Sequence, residues 1–153
     1  MRFLIIPTLT TSDAKAAAEA PFDEKSFSAY MKYNEDMHKA GVLLASEGLN
    51  PGAKGAHVSV SNGKRTVMDG PFAETKELVA GFWMIEVKSR EEAIEWALRC
   101  PINPAGDEVL EIRQLTGASD LPPELLALIV AAAPTWSAAF SGSRQAMSDP
   151  RST

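Results

Sequence analysis

The run Ala80-Gly81-Phe82-Trp83-Met84-Ile85-Glu86-Val87 constrains the fold more than any other stretch of the chain. It is the most apolar strand-like segment, which assigns it to the interior of a sheet rather than to an edge. A helix is written directly after it. Ser89 and Glu92 have the spacing of a capping box, Ala93, Ile94, Trp96, Ala97 and Leu98 supply the apolar positions, and Pro101 ends it. A central strand needs neighbours on both sides, so the remaining question is where they come from.

The sequence supplies them in a regular order. Arg2 to Pro7 reads as a first strand around Phe3-Leu4-Ile5-Ile6, and a polar, alanine-containing stretch follows to Ala20. Asp23 caps the next helix, with Phe22 and Phe27 placed to staple its entry. Phe27, Tyr30, Met31, Asn34, Met37 and His38 fall on one face of that helix, and Gly41 ends it. Val42 to Ala45 is a second strand, and Glu47 to Gly52 is a loop by composition. Ala56–Ser61 and Lys64–Met68 form a hairpin across Asn62-Gly63, a type I′ turn signal. That turn sets Val60 opposite Arg65, Val58 opposite Val67 and His57 opposite Met68. The hairpin aims the loop Asp69-Gly70-Pro71-Phe72. Val109 to Leu115 is the last strand, with Leu110 and Ile112 facing one way and Glu111 and Arg113 the other.

Strand, helix, strand, hairpin, strand, helix, strand is the order of a ferredoxin-like α+β sheet with two helices on one face. Covering the other face, where Phe82 and Met84 are available, with a second copy gives a homodimer. Residues 1–117 are expected to make this domain and 118–153 a C-terminal helix and flexible tail. The tail helix runs from Pro122 to about Ala133, with Leu125, Leu126, Leu128, Ile129 and Val130 as its apolar positions. Beyond Pro134 small and polar residues take over, with Trp136 and Phe140 to hold part of it down.

A net charge of −5 with no basic cluster beyond Lys64-Arg65 argues against nucleic acid as a partner. The early apolar run, Phe3 to Ile6, is too short for a membrane span or a signal core. The one cysteine, Cys100, has no partner for an internal disulfide, which fits a cytoplasmic protein, and reads as a buried structural thiol. Glycine-rich phosphate loops, cysteine pairs and Gly-x-Ser-x-Gly elbows are missing, so no cofactor is expected.

The stretch Asp69-Gly70-Pro71-Phe72-Ala73-Glu74-Thr75-Lys76-Glu77 resembles the signature of DGPF proteins, a branch of the YCII-related family. Ala40-Gly41-Val42-Leu43, Glu47-Gly48-Leu49, Gly81-Phe82-Trp83, Ser89 to Ala93 and Glu111-Ile112-Arg113 extend the likeness over roughly residues 1 to 115. The resemblance implies a dimeric α/β barrel of ferredoxin-like kind. It brings lyase- or dehalogenase-like relatives, and gene company with sigma factors that implies a transcription-related partner. The histidine used by the wider family's enzymes falls, by register against Gly41, near Tyr30, and His38 lies about two turns further on.

Six residues are candidates for a site. Asp69 is either a general base or the cap of its own Gly-Pro turn. His38 is either an acid or a favourable charge at its helix end. Tyr30, Tyr33, Glu74 and Lys76 are expected to line a pocket for a small molecule, Glu74 and Lys76 being otherwise part of a solvated charged run. His38, His57 and Asp69 offer a metal donor set in kind, but nothing in their spacing demands one, and no metal is assigned. The functional expectation is a dimeric small-molecule-binding or regulatory module. The alternatives are a lyase or dehydrohalogenase acting on a small aromatic or keto compound through Asp69, and an interaction protein docking through its C-terminal helix.

Overall fold

A computed structural model of the chain describes residues 1–10, 20–49, 55–70, 77–102 and 108–141. By compactness these fall into two units, one of Met1 with Phe3–Gln114 and a second of Arg2 with the residues from Leu115 onward. Arg2 apart, the first unit holds β1 (Arg2–Thr10), α1 (Glu24–Lys39), β2 (Leu43–Gly48), β3 (Ala56–Ser61), β4 (Lys64–Asp69), β5 (Glu77–Val79), β6 (Gly81–Glu86), α2 (Arg90–Leu98) and β7 (Val109–Gln114).

The main sheet has five strands. β6 lies between β2 and β1, the interior position expected from its apolar run. Only Ala80 separates β5 from β6, and its N–H donates to the Pro7 carbonyl at 3.2 Å, so the two continue one another along β1. Thr8 pairs with Val79 on one side of β1 and with Val109 of β7 on the other. The pairs β1–β5, β1–β7 and β2–β6 are antiparallel. This is a mixed α+β architecture of ferredoxin-like order.

Period-two alternation decides what is buried. Along β6 the residues Gly81, Trp83 and Ile85 are buried and Phe82, Met84 and Glu86 half-buried. Phe3, Ile5, Trp83, Ile85 and Val87 form the sheet side of the core, against Tyr33 and Met37 of α1 and Ala93, Trp96 and Ala97 of α2. Leu110 and Ile112 pack on the same core, while Glu111 and Arg113 pair with each other at 2.7 Å on the other side of β7. Cys100 is buried in the core. Removing its thiolate from water pushes the thiol up to about 12, with Glu108 adding to the effect.

The helix ends follow local chemistry. The Asp23 carboxylate accepts from Lys25 N–H at 3.0 Å, and the Phe22 and Phe27 rings meet at 5.6 Å as a staple. At the other end Gly41, at φ +69°, donates to His38 O and Val42 donates to Met37 O, the two bonds of a Schellman motif. The buried face of α1 runs through Tyr30, Tyr33, Asn34 and Met37, leaving Phe27, Met31 and His38 exposed. The predicted stripe is thus rotated toward Tyr33. In α2, Ser89 Oγ accepts from Glu92 N–H at 3.2 Å, and Glu92 reaches back to Lys88 N–H at 2.8 Å, one residue beyond the usual capping-box partner.

β3 and β4 form a two-stranded sheet of their own, with the register expected from Asn62-Gly63: Val58↔Val67, Val60↔Arg65 and His57↔Met68. Asn62 at φ +50° and Gly63 at φ +74° make the left-handed pair that a type I′ turn requires. In the second unit a 3-10 turn (Ala118–Asp120) precedes α3 (Pro123–Ala132) and α4 (Pro134–Ser141). The tail is therefore helical beyond the break at Ala133-Pro134. Residues 142–153 lie outside the described residues. Among the described residues no helix is long and apolar enough to cross a membrane.

Candidate functional site

A cleft of about 270 Å³ opens between α1 and the β1–β6–β2 part of the sheet. Tyr30, Met31 and Asn34 come from α1, Ser46, Glu47 and Gly48 from β2, and Gly81, Phe82 and Trp83 from β6. Pro7, Ala80 and Glu108 complete it. Each contributor has a local reason to be there. Tyr30 and Asn34 are one turn apart on the helix and so share a face. β2 and β6 approach closely at Gly48↔Gly81, and a Cβ on Gly81 would stand 2.5 Å from the Glu47 carbonyl oxygen. Glycine at that position keeps the floor of the cleft closed without pushing the strands apart.

Trp83 is the fixed wall. Its ring lies nearly parallel to Tyr30 (9°, centroids 6.1 Å apart) and meets Tyr33 edge-on (83°, 5.4 Å). Its indole N–H donates to Asn34 Oδ1 at 2.6 Å, and Ser46 Oγ donates to the same oxygen at 3.3 Å. With Oδ1 used twice, the Asn34 NH₂ is the donor that remains for an occupant of the cleft. Tyr30 is half-buried and its hydroxyl is pushed up to about 12, first by burial and then by the nearby Glu108 carboxylate. It is a neutral donor and acceptor at any ordinary pH.

The charge of the lining is one-sided. Glu47 and Glu108 are its ionisable carboxylates, and none of the described lining residues is Lys, Arg or His. An anionic occupant would meet repulsion there, whereas a cation would be attracted by both carboxylates and by the aromatic faces.

Of the six residues singled out from the sequence, Tyr30 lines this cleft. Tyr33 is buried, its hydroxyl donates to the Trp96 carbonyl at 2.9 Å, and burial, with Cys100 nearby, raises it well above the usual tyrosine value. It borders a second hollow between α1 and α2, with Lys32, Asp36, Trp96 and Arg99. His38 is exposed in the last turn of α1, and Asp69 is exposed at the end of β4; neither is among the residues lining the Tyr30 cleft. Glu74 and Lys76 lie outside the described residues, as does the signature from Pro71 to Lys76. Among the described residues no three His, Cys, Asp or Glu side chains are grouped as a metal site.

Asn34, Ser46, Glu47 and Glu108 are the cleft residues with polar side chains that sequence reasoning did not single out as a site. Asn34 carried a signal, being an amide in a helix stripe whose other members, apart from His38, are apolar or aromatic. Glu47 and Glu108 sit beside strand ends and look like ordinary loop charges.

Comparison with known proteins agrees with this architecture. An uncharacterised protein of Rhizobium meliloti (strain 1021) is 44% identical over 59 residues, which is 39% of this chain and 48% of that protein. The chain thus spans about half the length of the curated relative it matches. The family model of the YCII-related domain matches residues 1–116. That match takes in α1, α2 and every strand of the main sheet, and by it the chain belongs to the YCII-related domain family.

Proposed function

We propose that this protein is a small-molecule-binding module whose ligand seats in the Tyr30–Trp83 cleft. The ligand is a compact molecule with a planar, apolar body and a cationic or neutral hydrogen-bonding head. The observation that carries this reading is the pairing of an aromatic wall with two carboxylates and no basic side chain among the described lining residues. The body stacks against Tyr30 and Phe82, Asn34 NH₂ and the Tyr30 hydroxyl fix its orientation, and Glu47 and Glu108 receive the head. The resemblance seen in the sequence supports a regulatory use of such binding, with a transcription-related protein as the partner.

The test is a thermal-shift screen of matched pairs, arylalkylamines against aryl carboxylates of the same skeleton, followed by tryptophan fluorescence. A ligand at a hundred times its Kd adds about 2.7 kcal/mol, enough to raise Tm by several degrees. Amines are expected to stabilise the protein and carboxylates to leave it unchanged, and Tyr30→Ala is expected to abolish the effect. Stabilisation by the carboxylates alone, or an undiminished shift in Tyr30→Ala, would refute the site. So would the failure of every amine at millimolar concentration.

A further inference from the structure

The hollow between α1 and α2 shares no lining residue with the Tyr30 cleft. Ala29, Lys32, Tyr33 and Asp36 stand at i, i+3, i+4 and i+7 on one face of α1, and Trp96, Arg99 and Pro101 come from the end of α2 and the turn after it. Buried Tyr33 and Trp96, with half-buried Ala29 and Pro101, make a largely apolar floor. Exposed Lys32, Asp36 and Arg99 make a charged rim. The volume is about 270 Å³, room for about nine waters or for a phosphate group with a small organic body.

The rim charges are unequal. Asp36 is engaged by Lys32, whose ammonium donates to its two carboxylate oxygens at 3.0 and 2.7 Å. Arg99 has no carboxylate partner among the described residues. Its position is nonetheless fixed twice. Its backbone N–H closes α2 by donating to the Trp96 carbonyl at 3.0 Å, and its guanidinium carbon lies 4.6 Å from the centroid of the Trp96 ring. A guanidinium held over a ring keeps its N–H edge for an oxyanion. The last carbonyls of α2 do not cancel that charge. Trp96 O accepts from the Tyr33 hydroxyl as well as from Arg99, and Ala97 O accepts from Cys100 N–H at 3.0 Å, so both have protein partners. Two cations against one carboxylate leave the rim net positive, in a chain whose net charge is −5.

We propose that this hollow is a second small-molecule site, which takes a phosphomonoester or free phosphate on Arg99 and Lys32, with the body of an ester resting on the floor of Ala29, Tyr33 and Trp96. A carboxylate offers a single charge, and one exposed pair of that kind is weak. A phosphate dianion offers more charge and a third oxygen. Arg99 holds two of its oxygens side by side while Lys32 reaches the third, and the exposed Lys32–Asp36 pair yields at little cost. The Tyr30 cleft, with two carboxylates and no base among its described lining residues, selects the opposite charge. The two sites therefore stand or fall separately.

The experiment is titration calorimetry of the full chain with phenyl phosphate, inorganic phosphate and benzoate, with circular dichroism to verify folding of each variant. Phenyl phosphate is expected to bind at millimolar concentration or below, and benzoate about tenfold more weakly or not at all. Inorganic phosphate several-fold weaker than phenyl phosphate assigns the site to an ester, and equal affinities assign it to free phosphate. Arg99→Gln is expected to weaken phenyl phosphate about tenfold or more, and Arg99→Lys, which keeps the charge without the fork, by less. Asp36→Asn is expected to tighten binding, because it removes the negative charge of the rim and frees Lys32. A merely structural Asp36 would not do so, and this variant decides the matter even where Arg99→Gln fails to fold. Arg113→Gln, whose charge lies on β7, is expected to leave affinity unchanged. The proposal is overturned if neither phosphate binds at millimolar concentration, or if benzoate binds as tightly as phenyl phosphate. It is equally overturned by wild-type affinity in folded Arg99→Gln, by weaker binding in Asp36→Asn, or by Arg113→Gln matching the loss seen in Arg99→Gln.

Discussion

Replacing Asn34 by leucine isolates the polar contact on which the cleft wall is built. The side chains are close in volume, so the loss is one of hydrogen bonding more than of packing. Asn34 Oδ1 accepts from the Trp83 indole at 2.6 Å and from Ser46 Oγ at 3.3 Å. Trp83 is 7% exposed, so its N–H cannot turn to water and stands unsatisfied, at a cost of ~1–3 kcal/mol. The half-buried Ser46 hydroxyl rotates freely and loses about 0.5 kcal/mol. Asn34→Leu should therefore destabilise the protein by roughly 2–3 kcal/mol, which for a chain of this length lowers Tm by roughly 5–10 °C. A double-mutant cycle assigns the loss. In Trp83→Phe the donor is gone, and Asn34→Leu should then cost only the serine share, leaving a coupling energy of ~1–2 kcal/mol. Urea unfolding followed by far-UV circular dichroism measures all four corners. A coupling below ~0.3 kcal/mol would refute the reasoning, since the indole bond would then contribute nothing.

Two further outcomes follow from the same geometry. Gly81→Ala forces a methyl to within 2.5 Å of the Glu47 carbonyl oxygen and 3.2 Å of Gly48 Cα, both backbone, so β2 and β6 must part. The expected cost is ~1–3 kcal/mol, read as a drop in Tm, and an unchanged Tm would show that the strands are less tightly held than this spacing implies. Alkaline pH acts on Tyr30, Tyr33 and Cys100 together. Burial raises all three from ordinary values of 10.0, 10.0 and 9.0, with Tyr30 and Cys100 reaching about 12. Above those ordinary values the unfolded chain releases protons that the folded chain keeps, so stability is intact below about pH 9 and declines from there toward pH 12. Urea midpoints across this range should fall, and less steeply in Tyr33→Phe; a flat profile would contradict the burial of these groups.

The parts of the fold legible in the sequence are those written in short-range chemistry. Asn62-Gly63 determines the hairpin register because a two-residue turn with positive φ permits one alignment. Asp23, Ser89 and Gly41 mark helix ends because capping uses neighbours within a few positions. The apolar run around Trp83 reads as an interior strand because no amphipathic alternative fits it. The cleft was legible only in part. Tyr30 was identifiable on its helix stripe, but the Asn34–Trp83 bond joins residues 49 positions apart, and nothing local pairs them. The rotation of the buried stripe toward Tyr33 has the same origin. Its hydroxyl is satisfied by a carbonyl of α2 that only the packed structure brings near. Glu108 comes to Tyr30 from a distant part of the chain, so its sequence neighbourhood says nothing of the cleft.

The anchoring of Trp83 also has a consequence for how this scaffold can diversify. Its ring serves the core and the cleft at once, touching Tyr30 and Tyr33 and holding Asn34, so any replacement there is paid for in folding before it alters recognition. Glu47 and Met31 are exposed at the rim and carry no such double duty. With the cleft as the proposed ligand site, drift in ligand preference is confined to its mouth, while its back wall stays fixed by the requirement that the domain fold. The chemistry of the rim can thus change without touching the side chains on which folding depends.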